Sequence, residues 1–310
     1  MNNKNISTKL MTQEQWLAER NNSIGMSDAG AVLGHNPWKS NVDLYLEKIG
    51  QAPPTEDNLA MRLGRDMEPV VKKLFEEETG LKVYNDNKIR IDNRYSFLTT
   101  NLDGFVTGER VPVEYKTMVR WDGEIPDNYF CQIQGQMMIT GADYIYYAAL
   151  VLGSPKQFIV EKYDRNDDFI SSMRKDMIEF WKENVTKGIP PEPRTVEDAK
   201  KILNQVDPGK IREAGQDIIN NINELVSIRH EKSILDKKYK DIQLGIMKYM
   251  DDSELLQSNG LDLVSWRQSK EVKRFNSKKF KGENPDLYNK YQEDTAGSRR
   301  FLIKIKQGEE

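Results

Sequence analysis

Up to residue 188, apolar positions follow two rhythms, and helical and extended segments alternate. Thr12 opens a short helix, with Gln15 in the capping-box position. Ser27 reads as the N-cap of a helix over 28–33, and Ser40 as that of a helix over 41–48 ending near Gly50. A longer helix runs over 57–79 and stops at Gly80. Short strands follow near 82–84, 88–91, 95–99 and 103–117, the last a hairpin turning near Gly108. A helix over 127–140, strands near 144–152 and 156–163, and a helix over 167–187 complete an α/β arrangement with a mixed sheet.

The proline-rich segment Ile189-Pro190-Pro191-Glu192-Pro193 divides the chain into domains 1–193 and 194–310. Beyond it, from Ile211 to Tyr249, apolar residues recur at spacings mostly of three and four. They form one stripe on a long helix or helical hairpin. Packing of this helix on its own domain is expected rather than an intermolecular coiled coil. Segments 261–266 and 301–306 read as strands, with a helix near 286–293 between them.

The chain has 310 residues, 37% of them apolar and 31% charged, so it can build a packed core and is not broadly disordered. No run approaches the roughly 18 apolar residues of a membrane span, and the polar N-terminus carries no signal-peptide core. A cytoplasmic location is expected. One cysteine, Cys131, excludes an internal disulfide, a Cys-rich zinc site and a four-Cys iron–sulfur cluster. With only His35 and His230, a metal would be held mainly by carboxylates, which favours magnesium or manganese. The net charge of −3 says little about nucleic acid, but its distribution is uneven. Residues 267–306 carry eight Lys and four Arg against five acids, a net +7 suited to phosphates, Lys278 and Lys279 among them.

Candidate chemistry concentrates on the hairpin. In Val113-Glu114-Tyr115-Lys116, Glu114 and Lys116 project from one face of a strand, while Val113 and Tyr115 face a core. Asp103, in Asn101-Leu102-Asp103-Gly104, lies across the hairpin within reach of Glu114. Two close carboxylates repel unless a cation or proton separates them, and Lys116 beside them can orient a water. Glu68 is a third candidate carboxylate. It shares a helix face with Gly64, a mid-helix glycine that a close backbone or ligand approach would explain, although alone it reads as an exposed glutamate. Gln132 and Gln136, also four apart, either form a solvated face or touch the reacting centre.

These motifs in order resemble the YqaJ viral recombinase family, relatives of the lambda-type phage exonuclease within the PD-(D/E)XK nucleases. The series begins with Ile24-Gly25-Met26-Ser27-Asp28-Ala29 and Gly34-His35-Asn36-Pro37-Trp38-Lys39-Ser40. It continues through Gly64 and Glu68, Asn101-Leu102-Asp103-Gly104, Glu114-Tyr115-Lys116 and Gln132-Ile133-Gln134-Gly135-Gln136-Met137. The resemblance covers residues 15–190. Asn101 stands where relatives often have serine, and Leu102 replaces the proline of the signature. The resemblance implies a restriction-endonuclease-like core, a central mixed sheet flanked by helices, followed by a helical and β C-terminal extension. It implies that Asp103, Glu114, Glu68 and the Tyr115 carbonyl hold magnesium (or manganese), two ions per site. Lys116 would activate water and Gln132 would support the site. Arg20 and Ser27 would bind a 5′-terminal phosphate, consistent with Ser27 at a helix N-terminus and the donor fork of Arg20. The implied activity is 5′-to-3′ exonuclease digestion of linear double-stranded DNA. It releases 5′-mononucleotides and leaves 3′ single strands for a single-strand annealing protein, with a homotrimer around the DNA. An endonuclease or nickase of the same fold, and a noncatalytic DNA-end-binding scaffold, are the alternatives.

Overall fold

The structure is a computed structural model and describes residues 5–53, 57–153, 157–294 and 297–305. It divides into two compact units, Met1–Asn204 and Gln205–Glu310.

The first unit begins with β1 (Ile6–Ser7), α1 (Gln13–Asn21), β2 (Ile24–Gly25), a 3-10 turn (Met26–Asp28), α2 (Ala29–Leu33) and α3 (Asn41–Lys48). The capping box expected at Thr12–Gln15 forms, and Ser40 is the expected N-cap, its capping box closed by Asp43. Next come α4 (Leu59–Thr79), β3 (Val83–Tyr84), β4 (Lys88–Ile91), β5 (Leu98–Thr100), β6 (Gly104–Val106) and β7 (Pro112–Met118). Asn58 caps α4, and Gly80 ends it in the left-handed region at φ 71°. Then follow α5 (Asp127–Thr140), β8 (Tyr144–Val151), β9 (Phe158–Asp164), α6 (Asp167–Glu179) running into a π turn (Phe180–Thr186), and α7 (Val196–Ile202).

Five strands form the central sheet in the order β3-β6-β7-β8-β9. Only β7 and β8 are parallel; the other neighbours are antiparallel. A parallel pair needs a crossover, and α5 supplies it. Both faces of β8 are covered, so its apolar residues alternate between two cores. Ile145, Tyr147, Ala149 and Val151 join Ile133 and Met137 of α5. Ala148 joins Val113 and Tyr115 of β7 and Val71 and Phe75 of α4. A third core gathers α2, α3 and α6. A smaller sheet, β1-β4-β5-β2, lies beside it, with Ile24 of β2 parallel to Leu98 of β5.

The proline-rich segment does not end this unit. The Tyr45 hydroxyl donates to the Gly188 carbonyl at 2.9 Å, and Asn41 donates to that of Glu192. Beyond the prolines, buried Asp198 of α7 accepts from the Ser40 hydroxyl at 2.5 Å, and Lys201 pairs with Asp43. The boundary therefore falls at 204/205 rather than 193/194, because α7 returns to cap α3.

The second unit holds α8 (Gln216–Met250), β10 (Leu255–Ser258), β11 (Leu261–Ser265), α9 (Ser277–Glu283) and α10 (Pro285–Lys290). Asn259 and Gly260, both at positive φ, turn the β10–β11 hairpin. Two expectations fail here. Residues 301–305 alternate like a strand but pair with none, and residue 306 lies outside the described residues. The apolar stripe of α8 finds no cover within its unit: among the described residues only Val226 and Met250 are buried there.

Gly104 shows how tightly the hairpin that carries Asp103 is packed. A Cβ at Gly104 would sit 2.9 Å from the Tyr84 carbonyl oxygen and against the Val83 side chain. Gly104→Ala is expected to push β3 off β6 and lower stability by about 1–3 kcal/mol, read as a lower urea midpoint at unchanged slope.

Candidate active site

β7 turns Glu114 and Lys116 to the face opposite Val113 and Tyr115, as strand alternation requires. Glu114 is only 2% exposed. Its carboxylate accepts from the Lys116 ammonium, from Gln132 Nε2 at 2.6 Å and from Gln136 Nε2 at 2.5 Å. The two glutamines lie one turn apart on α5, so one helix face supplies both donors. The solvated-face alternative for them is thereby excluded. Gln134, on the other side of α5, instead ties the Asp164 carbonyl and the Asn166 amide.

Asp103 stands in the bend entering β6, where the pairing of Gly104 with Val113 brings it beside β7. Its Oδ2 accepts from the Tyr115 amide at 2.7 Å. Burial and then the Glu114 carboxylate push the Asp103 carboxyl well above the usual range. Glu68, on α4, reaches the solvent edge of the same cluster. Partial desolvation and the charge of Glu114 raise it too. Lys116 shows the opposite balance. Burial favours the neutral amine, but Glu114 and Asp103 outweigh it and hold the ammonium charged.

Asp103 and Glu114 thus share one ammonium, with exposed Glu68 near enough to feel their charge, and the repulsion among these acids fits a hard divalent cation. Among the described residues, no three His, Cys, Asp or Glu side chains are grouped closely enough to hold a metal ion. The Glu114 oxygens are instead occupied by Lys116 and the two amides. The open side of the cluster is consistent with Gly64 of α4, where an added Cβ would meet nothing within 4 Å. No backbone approaches Gly64, so the close-backbone explanation of the glycine fails.

Arg20 and Ser27 flank Asp28, Arg20 by an ion pair and Ser27 as its neighbour in the chain, but Ser27 is not the expected helix cap. Ser27 lies inside the 3-10 turn with its side chain exposed, and it caps no helix. The helix that follows has five residues, too few for an anion site built on its dipole. The Arg20 guanidinium instead meets buried Asp28 at 3.4 Å, together with Lys39 at 3.0 Å and Lys48 at 3.4 Å. Glu47 accepts from both lysines. Burial works against ionised Asp28, but Lys39, Arg20 and Lys48 overturn it and hold the carboxyl far below the usual range. Three cations against two anions leave this cluster positive.

Asp28 and Lys39 lie within the quoted motifs without a role assigned to them, and they meet Lys48 only through the tertiary fold. An aromatic step also goes beyond the expected set. The Tyr129 ring lies 5.0 Å from Lys116 Nζ, and exposed Trp38 lies 6.5 Å beyond it, centroid to centroid. Cys131 is buried, as expected of a small apolar residue.

Residues 15–143 match the YqaJ-like viral recombinase domain. The protein YqaJ of Bacillus subtilis (strain 168) is 32% identical over 307 residues, 95% of each chain. The chain belongs to the YqaJ-like viral recombinase family. Among solved structures, an alkaline exonuclease (LHK-Exo) from Laribacter hongkongensis is similar at 21% identity and TM-score 0.47, covering 57% of this chain and 94% of its own. A phage related exonuclease from Haemophilus somnus 129PT is similar at 14% identity and TM-score 0.42, covering 54% and 96%. The central sheet is mixed, as expected, with Glu114 on β7, Asp103 in the bend entering β6 and the crossover helix α5 behind them. Among the described residues, no helix is long and apolar enough to cross a membrane.

Asp28 gives this region an acid-sensitive component. A carboxyl depressed in the folded state contributes stability that is complete above the unfolded pKa, about 4, and drains as pH falls toward the folded value. Asp28→Asn leaves fully buried Lys48 short of a partner. It is expected to cost about 3–5 kcal/mol at neutral pH and to flatten the loss of stability below pH 4, measured by urea unfolding across pH.

Proposed function

We propose that the chain is a metal-dependent deoxyribonuclease that degrades linear double-stranded DNA from its 5′ ends. The observation that carries this reading is the convergence of Asp103 and Glu114 beside Lys116, with exposed Glu68 near enough to feel their charge. A module that only bound DNA would gain nothing from three acids facing phosphate.

Asp103, Glu114, Glu68 and the Tyr115 carbonyl are the groups to hold magnesium or manganese, two ions per site in this reading. Bound there, the ions supply Lewis-acid stabilisation of the charge that develops on the phosphoryl oxygens. Lys116, fixed by Glu114, donates to the attacking water and sets its line of approach. Gln132 and Gln136 hold the Glu114 carboxylate in place as charge shifts. Water attacks in line, the 3′ oxygen leaves, and a 5′-mononucleotide is released.

The positive cluster of Arg20, Lys39 and Lys48 receives the terminal 5′ phosphate in this reading, with Arg20 as its partly exposed donor. Such contacts carry no base information, so digestion is nonspecific in sequence. The 3′ strand left behind is the substrate of a single-strand annealing protein.

The test compares linear duplexes bearing 5′-phosphate or 5′-hydroxyl ends with closed circles, in magnesium or in EDTA, with products sized over time. Mononucleotides from the phosphorylated linear duplex in magnesium alone, with intact circles, are expected. Cut circles would make the enzyme an endonuclease or nickase, and no cleavage at all would leave a DNA-end scaffold. Lys116→Ala is expected to lower the cleavage rate at least about a hundredfold while end binding stays within a few-fold. Arg20→Ala is expected to abolish the preference for phosphorylated ends without stopping cleavage.

A further inference from the structure

We propose that α8 pairs with α8 of a second copy of this chain as an antiparallel coiled coil. The inference is independent of the nuclease reading. Counting heptads from Ile218, every a position except Lys232 and every d position except Asn221 is apolar through Tyr249. That is five consecutive heptads, the signature of a helix seam rather than of a helix lying on a broad core. The apolar seam residues are all exposed, Leu235 at 64%, Tyr239 at 68% and Tyr249 at 78%. The two buried residues, Val226 and Met250, lie off the seam. The helix therefore meets its own unit with one side and presents the heptad seam on another.

Charge selects the occupant and its direction. In the antiparallel register that sets Leu225 against Ile242 of the second copy, each a position meets a d position along the whole seam. Lys232 then stacks on Leu235, with its ammonium free to reach water. The flanking positions place Arg229 opposite Asp236 and Glu231 opposite Lys238, each twice by the two-fold axis. All four pairs attract. In a parallel pair Glu224 would meet Arg229, but Glu231 would face Asp236, so attraction and repulsion cancel. The seam thus complements a reversed copy of itself.

The test is sedimentation of the full chain at micromolar concentration, with far-UV circular dichroism to confirm helix content. A self-associating wild type is expected. Glu231→Lys turns two attractions into repulsions and is expected to weaken association about tenfold, as is Lys238→Glu. The exchanged pair E231K/K238E is expected to restore it. In a parallel assembly E231K would relieve the contact with Asp236 and strengthen association, which overturns the proposal. A monomeric wild type, or an exchange that fails to rescue, overturns it too. On oxidation, L225C/I242C is expected to give a covalent dimer while L225C alone stays uncrosslinked, since antiparallel pairing sets the two copies of position 225 roughly 25 Å apart. Cross-linking by L225C alone overturns the direction. The native Cys131 is buried and does not compete.

Discussion

A carboxylate in the middle of a sheet, almost out of water, stays ionised only if hydrogen bonds and a countercharge replace its hydration. Glu114 is held by one ammonium and two amides from two different elements. That requirement sets the rotation of α5, because Gln132 and Gln136 must both face β7. The rotation in turn sends Ile133 and Met137 into the apolar layer against β8. The parallel β7–β8 pair needs a crossover helix in any case. Here the crossover also closes the hydrogen bonds of the buried charge, so the fold and the site share one helix.

α5 is also where the two charged clusters are tied together. On one side it supplies the amides of Glu114. On another it receives the turn that carries Asp28: a Cβ at Gly30 would come within 3.0 Å of Asn128, and one at Gly135 would come within 2.9 Å of Met26 Cγ. These glycines let backbone and helix approach closely. One cluster carries an excess of carboxylates and the other an excess of cations. A cation and a phosphate are the ligands that opposite excesses attract, so the pair of clusters is more informative than either alone.

Much of this was legible in the residues. α5 occupies the expected 127–140, and the Thr12 capping box and the Ser40 N-cap both formed, because these features depend on neighbours three or four residues apart. Asp103, Glu114 and Lys116 converge because a hairpin and strand alternation leave them little freedom. The i and i+4 spacing put Gln136 with Gln132, although only tertiary packing shows that both reach Glu114. The Asp28 cluster was invisible for the same reason, since its cations come from α1, a loop and α3. The two-residue strands β1 and β2 are too short to carry a pattern. Residues 301–305 show the converse, a strand pattern without a partner, since alternation makes a strand only where an edge accepts it.

The second unit raises a different energetic question. A helix of 35 residues is about 52 Å long, and isolated helices draw little stability from propensity alone. With two buried apolar residues among those described, the unit has almost nothing of its own to offset the chain entropy lost on ordering. Yet its apolar residues are not scattered, as surface leucines and isoleucines often are. Eight of them hold a heptad register through five repeats, interrupted only by Asn221 and Lys232, while exposed Ile219, Ile234 and Leu244 lie off it. A solvated helix has no reason to keep that period, whereas a seam against another helix does. The order of the second unit is therefore linked to whatever covers the seam, and its stability should rise with the concentration of that partner.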